Sequence, residues 1–290
     1  MSRGEIALRP ISGTLGAEVS NMDLRRVDDS TFEQIHTALL EHQVLFFRQT
    51  KLSDEQHIAL AERWGAISVF PLLKVLGSTE GSFQVIQDGP DSPPAADQWH
   101  TDVTWTPLPP KVALLRATLV PERGGDTMWG SMTAAYDALS GPIKTLLEGL
   151  EVHHDSTDFV EGVVKKIGPE QAKALDIKSK LNAEYPGVDH PMIRTHPETG
   201  ARAIFFGGGF MRHVVGLEPH ESDAVLRMVR EHIEQPRFHC RWSWKPGDLA
   251  IWDERSTVHR AIGDHFPRER EVRRCVVDGD RPYFDATVAA

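Results

Sequence analysis

The chain has 290 residues, 40 % of them hydrophobic, and its 42 acidic side chains outnumber 32 basic ones to leave a formal net charge of -10. That length can bury one large core without splitting, and the acidic balance excludes the basic face that a nucleic-acid partner demands. Cys240 and Cys275 are too few for a disulfide framework, residues 1–6 lack the apolar stretch of a signal peptide, and no run is long enough to cross a bilayer. A cytoplasmic protein with no membrane partner is expected, and a homo-oligomer is compatible with this composition.

In chain order, Ser30 with Glu33 and Ser53 with Gln56 each fit a capping box, a hydroxyl followed three residues later by Glu or Gln, and announce two helices. Between them Val44, Leu45, Phe46 and Phe47 form a short apolar run suited to a strand buried on both faces. Gly65 ends the second helix. Residues 66–73 then lead into a region rich in Pro and Gly that reads as loops around one strand. Residues 88–97, with Gly89, Pro90, Pro93 and Pro94, form a loop that leads to a strand carrying His100 and folds over it. Between Phe159 and Pro186 a charged stretch reads as a helical insertion, and residues 160–185 are expected to act as a lid. Residues 219–234 fit an amphipathic helix with Val225, Leu226, Met228, Val229 and Ile233 inward. The period then changes. Phe238, Cys240, Trp242 and Trp244 alternate with His239, Arg241 and Ser243, as on a half-buried strand, and a turn at Pro246 and Gly247 leads into Leu249-Ala250-Ile251-Trp252. Many short strands with Gly and Pro turns and a few helices predict a mainly β fold with flanking helices, a sandwich closing around a pocket in one domain over residues 1–290.

The chemistry concentrates at His100 and Asp102, in Gln98-Trp99-His100-Thr101-Asp102, and at the remote His259. On an extended strand residues i and i+2 project from one face, so His-x-Asp delivers an imidazole and a carboxylate to one point. A third ligand from His259 completes two histidines and one carboxylate on one face of an octahedron, a geometry that suits non-haem Fe(II). Downstream lies a basic segment that includes Arg268, Arg270, Arg273 and Arg274. On a strand Arg270, Val272 and Arg274 share a face, and a guanidinium fixed beside a metal matches carboxylate geometry. Other clusters carry less. Gly207-Gly208-Gly209 has no Lys-Ser or Lys-Thr after it to neutralise a phosphate. His153 and His154 are adjacent, so on a strand they point to opposite faces. His57, His190, His213 and His232 are scattered with no catalytic spacing.

His100-Thr101-Asp102, Gly124-Gly125-Asp126-Thr127-Met128-Trp129, Pro246-Gly247-Asp248-Leu249-Ala250-Ile251-Trp252-Asp253, His259 and Arg270 together resemble, in order and over residues 8–284, the taurine dioxygenase and 2,4-dichlorophenoxyacetate dioxygenase family. The resemblance implies a double-stranded β-helix, or jelly roll, of the cupin-like kind. It also implies that His100, Asp102 and His259 hold Fe(II) and that Thr127 and Arg270 bind the distal carboxylate of 2-oxoglutarate. Arg274 then holds the anionic head of the primary substrate. The implied reaction uses O2, releases succinate and CO2, and hydroxylates a carbon whose sulfonate, sulfate or aryloxy group is then lost.

The chain departs from the taurine enzymes where those place His and Tyr on the segment matching residues 69–73, and Asn before the iron motif. Phe70, Leu73 and Ala96 stand there, leaving nothing to satisfy a buried ammonium group. Phe70, Leu73, Val103 and Phe210 suit a longer alkyl or aromatic body, so the expected partner is a small organic anion: an alkyl sulfate, a hydrophobic sulfonate or an aryloxyalkanoate. Two alternatives stand beside this reading. One is hydroxylation of an amino-acid or natural-product carbon without fragmentation, and the other a non-catalytic jelly-roll binding protein.

Overall fold

The computed structural model of the protein describes residues 6–94 and 97–288. A first hairpin pairs β1 (Ala7–Pro10) with β2 (Ala17–Ser20). Helix α1 (Asp29–His42) starts earlier than the Ser30 capping box predicts. Asp28 is the cap and accepts the Thr31 backbone N–H at 2.9 Å, while Ser30 lies inside the first turn. Aspartate satisfies the same orphan donor as serine and adds a charge that suits the positive helix end, so it wins the position. The buried strand β3 (Val44–Phe47) follows as expected. For α2 (Asp54–Ala61) both halves of the predicted box form, Gln56 N–H to Ser53 Oγ at 3.2 Å and Ser53 N–H to Gln56 Oε1 at 2.9 Å. A 3-10 turn (Glu62–Trp64) carries the chain to Gly65, whose φ of +141° favours glycine. The Pro-rich region contains a short helix α3 (Pro71–Val75), started by its own proline, and then β4 (Gln84–Asp88).

Strands β5 (Val112–Leu119) and β6 (Thr127–Ser131) precede helices α4 (Met132–Asp137) and α5 (Gly141–Glu148) and strand β7 (Glu151–His154). The predicted insertion is three helices, α6 (Thr157–Ile167), α7 (Pro169–Ala174) and α8 (Ile177–Glu184). Short strands β8 (Val188–Pro191), β9 (Ile193–Thr195), β10 (Arg202–Ile204) and β11 (Met211–Val214) lead to α9 (Pro219–Ile233). There Val229 and Ile233 are buried, with Val225, Leu226 and Met228 packed beside them. The chain ends with β12 (His239–Trp242), β13 (Leu249–Asp253), β14 (Thr257–Ala261) and β15 (Arg270–Val277).

Seven strands form the larger sheet in the order β1-β2-β3-β13-β5-β15-β4, antiparallel except for β2 beside β3. A smaller sheet, β12-β6-β14, packs on it face to face. Phe46 of β3 stacks on Trp242 of β12 at 4.3 Å and meets Trp129 of β6 edge-on at 5.1 Å. The opposite face of the larger sheet is covered by α1 and α2, with Ile35, Leu39 and Leu60 against Leu45, Leu114 and Ile251. Strand β15 serves both layers. Val272 and Val276 join the inter-sheet core, Cys275 and Val277 the helix side, and Arg273 pairs with Asp54 of α2. By alternation Arg270 and Arg274 therefore lie on the inner face, as the strand period predicts. No helix among the described residues is long and apolar enough to cross a membrane.

Two histidines are buried without charge in this framework. His57 on α2 is held down at about 4 by burial and the nearby Arg116 charge, and His190 on β8 at about 4 by burial against the opposing Thr106 carbonyl. In the unfolded chain both take up protons near pH 6.5, whereas the folded protein resists until about pH 4. Acid therefore favours unfolding across that window. Stability is expected to fall between pH 7.5 and pH 5 by about 2 kcal/mol for each histidine, measured by denaturant unfolding, and a flat profile would refute this account.

Candidate active site

The metal candidates meet through a single backbone bridge. His100 donates its N–H to the His259 carbonyl at 3.1 Å and accepts the His259 N–H at 2.9 Å, adding the His100 segment to β14. The predicted His-x-Asp strand stops there. Residues 102–105 form a turn, with Val103 at φ +42°, a costly conformation for a β-branched residue. The turn is tied down on both sides. Thr101 donates its N–H to Phe206 O at 3.0 Å and its hydroxyl to Thr257 O at 3.1 Å, and Asp102 donates its N–H to Glu254 Oε2 at 3.2 Å. Asp102 thus reaches the histidines from a bonded turn and not from a pleat.

One ligand atom from each of His100, Asp102 and His259 lies within 4.8 Å of the others. Asp102 Oδ1 is 3.6 Å from His100 Nε2 and 4.0 Å from His259 Nε2. His100 Nδ1 lies 2.8 Å from the Gln98 carbonyl, which can only accept, so the proton sits on Nδ1 and the Nε2 lone pair faces the carboxylate. Burial and the neighbouring His100 hold His259 well below the usual imidazole range, so it is neutral. Burial opposes ionisation of Asp102, but the Arg274 guanidinium outweighs it and holds the carboxyl well below its usual range. Glu254 goes the other way, pushed well above its usual range by burial and the Asp102 charge. One negative charge therefore sits on Asp102. Two imidazole nitrogens and one carboxylate oxygen, converging from one side, fit a mononuclear divalent ion of the first transition row.

Thr127 and Arg270 approach from opposite sheets. Arg270 on β15 is buried and donates Nε–H to Gly125 O at 3.1 Å, two residues before Thr127 on β6. A Cβ on Gly125 would come within 3.1 Å of Arg270 Cδ, so glycine makes room for the side chain. The Thr127 oxygen accepts Trp244 Nε1–H at 3.0 Å, which leaves its own proton to donate. Sequence reading missed the residues beside Arg270. Asp88, its partner in the β4 register, lies 3.5 Å away and 3.4 Å from the buried His265. It also missed Glu254, which accepts Trp252 Nε1–H at 2.7 Å beneath His259. Long-range strand pairing brings Asp88 to Arg270, while the turns after β13 and before β15 bring Glu254 beneath His259 and His265 beside Asp88.

Arg274 Nη1 donates to both Asp102 oxygens, at 2.9 and 2.6 Å, and Nη2 donates to Gln84 Oε1 at 2.8 Å. A cleft of about 490 Å³ is lined by Phe70, Val103, Leu108, Pro110, Tyr185 and Val276 among others, with the Lys74 and Glu184 ion pair (2.9 Å) at its wall; Val103 follows Asp102 in the chain and Val276 lies two residues beyond Arg274 on β15. Of the expected apolar residues, Phe70 and Val103 line this cleft. Leu73 does not: it sits on α3, 48 % exposed, because the unexpected helix turns it outward. Phe210 packs instead among Trp105, Phe159 and Val160 under the inserted helices. Ala96 lies outside the described residues. The glycines at 207–209 serve packing, since a Cβ on Gly207 would meet Thr104 and His154, and His154 bonds Thr104 while His153 bonds Asp189.

Asp102→Ala and His259→Ala are each expected to abolish Fe(II) binding while far-UV circular dichroism stays native. Retention of one tightly bound iron per chain in either variant would exclude these ligands.

Similar proteins place this geometry in a family. Residues 7–276 match the family model "Taurine catabolism dioxygenase TauD, TfdA family". An alkylsulfatase of Acinetobacter baylyi is 36 % identical over 95 % of this chain and 86 % of its own length. An alpha-ketoglutarate-dependent sulfate ester dioxygenase of Pseudomonas putida is 34 % identical over 96 % and 91 %. The crystal structure of a taurine dioxygenase from Burkholderia xenovorans superposes with a TM-score of 0.78 at 32 % identity, covering 97 % of this chain and 93 % of that one. With the family match spanning nearly the whole chain and the His, Asp, His triad assembled inside it, the chain belongs to the TauD/TfdA family of 2-oxoglutarate-dependent dioxygenases that act with Fe(II) and O2.

Proposed function

We propose that this dioxygenase hydroxylates a small organic anion, an alkyl sulfate, hydrophobic sulfonate or aryloxyalkanoate, at the carbon next to its heteroatom. The observation that carries this is the placement of Arg274, a partly buried guanidinium against Asp102, on the same strand face as Val276, which with Val103 lines a largely apolar cleft. The printed activities of the Acinetobacter and Pseudomonas relatives support the same class. We read the two facing sheets as a double-stranded β-helix, and the chain as one catalytic domain working in the cytoplasm, where the buried Cys240 and Cys275 thiols stay free.

Iron held by His100, Asp102 and His259 supplies oxygen activation driven by oxidative decarboxylation of 2-oxoglutarate to succinate and CO2. The protein's own groups position the reactants. Arg270 offers a buried positive charge, and Thr127 a hydroxyl proton, to the distal carboxylate of 2-oxoglutarate. Arg274, whose guanidinium pairs with Asp102 in the protein alone, would meet the substrate anion when Asp102 serves as a metal ligand. Helices α6 to α8 cover the 102–105 turn by packing Val160, Ile177 and Leu181 around Trp105, which keeps water off the reacting carbon. On the hydroxylated product the new O–H loses its proton, a carbonyl forms, and the bond to sulfate, sulfite or phenoxide breaks.

Val276 lies two residues beyond Arg274 on β15, about 7 Å along the strand, or roughly five methylene lengths. A chain anchored at Arg274 should therefore gain contact up to about six carbons. Succinate formation by the Fe(II) protein with 2-oxoglutarate and O2 is expected to be stimulated by n-alkyl sulfates, kcat/KM rising about fourfold per added methylene from ethyl to hexyl. No stimulation by any sulfate, sulfonate or aryloxyalkanoate would sink the substrate class. Arg274→Lys keeps the charge beside Asp102 and loses the planar fork, so KM for the anion should rise about tenfold or more. An unchanged KM would remove Arg274 from the anion site.

A further inference from the structure

Gln84 opens β4 at the edge of the larger sheet and lies directly across from Arg274 in the β15 register. Its Oε1 accepts the Arg274 Nη2–H, which settles which end of the amide faces the guanidinium and leaves the amide nitrogen as a donor only. That nitrogen is buried and has no hydrogen-bond partner among the described residues, and the same holds for Arg274 Nε. Two neighbouring buried donors without acceptors are costly in a folded protein unless a ligand supplies the acceptors.

We infer that Gln84 is a second ligand for the substrate head, its amide N–H group and the Arg274 Nε–H donating together to a sulfur oxyanion. This rests on the reading of Arg274 as the anion anchor and specifies the anion. A guanidinium fork matches the two coplanar oxygens of a carboxylate. A sulfate ester or sulfonate presents three oxygens around sulfur, and the third needs a donor outside that plane. Gln84 supplies one. Bracing Arg274 does not explain the amide, because a carboxylate opposite the guanidinium would brace it more strongly and would repel an anion. A neutral side chain that accepts with one end and donates with the other holds Arg274 and leaves its charge for the ligand.

The test is anaerobic calorimetric titration of the Fe(II) and 2-oxoglutarate complex with n-hexyl sulfate, using wild type, Gln84→Ala and Gln84→Glu. Melting temperature and 2-oxoglutarate affinity are measured on the same samples. Removing one hydrogen bond to a charged group should raise the n-hexyl sulfate Kd about 10-fold in Gln84→Ala, and the acidic isostere should raise it about 100-fold. Affinity for 2-oxoglutarate, carried at Arg270, should stay within about twofold. An unchanged n-hexyl sulfate Kd in both variants would overturn the assignment, as would a loss shared by 2-oxoglutarate together with a lowered melting temperature, the mark of a bracing role. If wild type binds neither n-hexyl sulfate nor any other anion of the sulfate, sulfonate and aryloxyalkanoate series, the anion anchor itself fails.

Discussion

The site depends on two backbone hydrogen bonds, the reciprocal N–H to carbonyl pair between His100 and His259. This pairing adds the His100 segment to the β12-β6-β14 sheet and so sets the distance between imidazoles drawn from distant parts of the chain. The same sheet carries Thr127, opposite Ala261 in the β6-β14 register, two residues after His259. Residues read as metal ligands and residues read as cosubstrate ligands therefore share one hydrogen-bonded frame. A slip of one residue would turn His259 and Thr127 to the opposite face, which is why the register is held by a dense aromatic layer of Trp129, Trp242, Trp252 and Phe46.

Charge compensation is the second constraint. Asp102, Glu254 and His259 are buried and Arg274 is partly buried around one point, where unpaired charge is expensive. The arrangement resolves this by keeping one carboxylate ionised and the other protonated, with both imidazoles arranged to offer lone pairs. Arg274 balances Asp102 in the protein alone. A divalent cation held by Asp102 would share that balance and leave the Arg274 charge for an incoming anion. The order of binding expected from this electrostatic exchange is metal first and anionic substrate afterwards.

Much of the scaffold was legible because its signals are local. The capping box at Ser53, the buried run at Val44 to Phe47, the alternation from Phe238 to Trp244 and the amphipathic helix ending at Ile233 each depend on neighbours within a few residues. Failures occurred where a competing local solution or a tertiary contact intervened. Asp28 displaced Ser30 as a cap. The strand carrying His100 was cut short at Thr101, whose N–H and hydroxyl are claimed by Phe206 and Thr257. Leu73 left the cleft because Pro71 starts a helix that the sequence read as loop.

Residue spacing by itself pointed to two histidines and a carboxylate as metal ligands and to a shared inner face for Arg270 and Arg274, while the apolar Phe70 in place of a polar pocket was read from the family resemblance. The first two follow from chemistry and from the two-residue period of a strand. Only the tertiary structure decided that Gln84 faces Arg274, that Asp88 and His265 adjoin Arg270, and that Glu254 lies under His259. Each of these pairs is made by strand register or by a turn closing over a long loop, and one-dimensional periodicity carries no information about which distant strand becomes the neighbour.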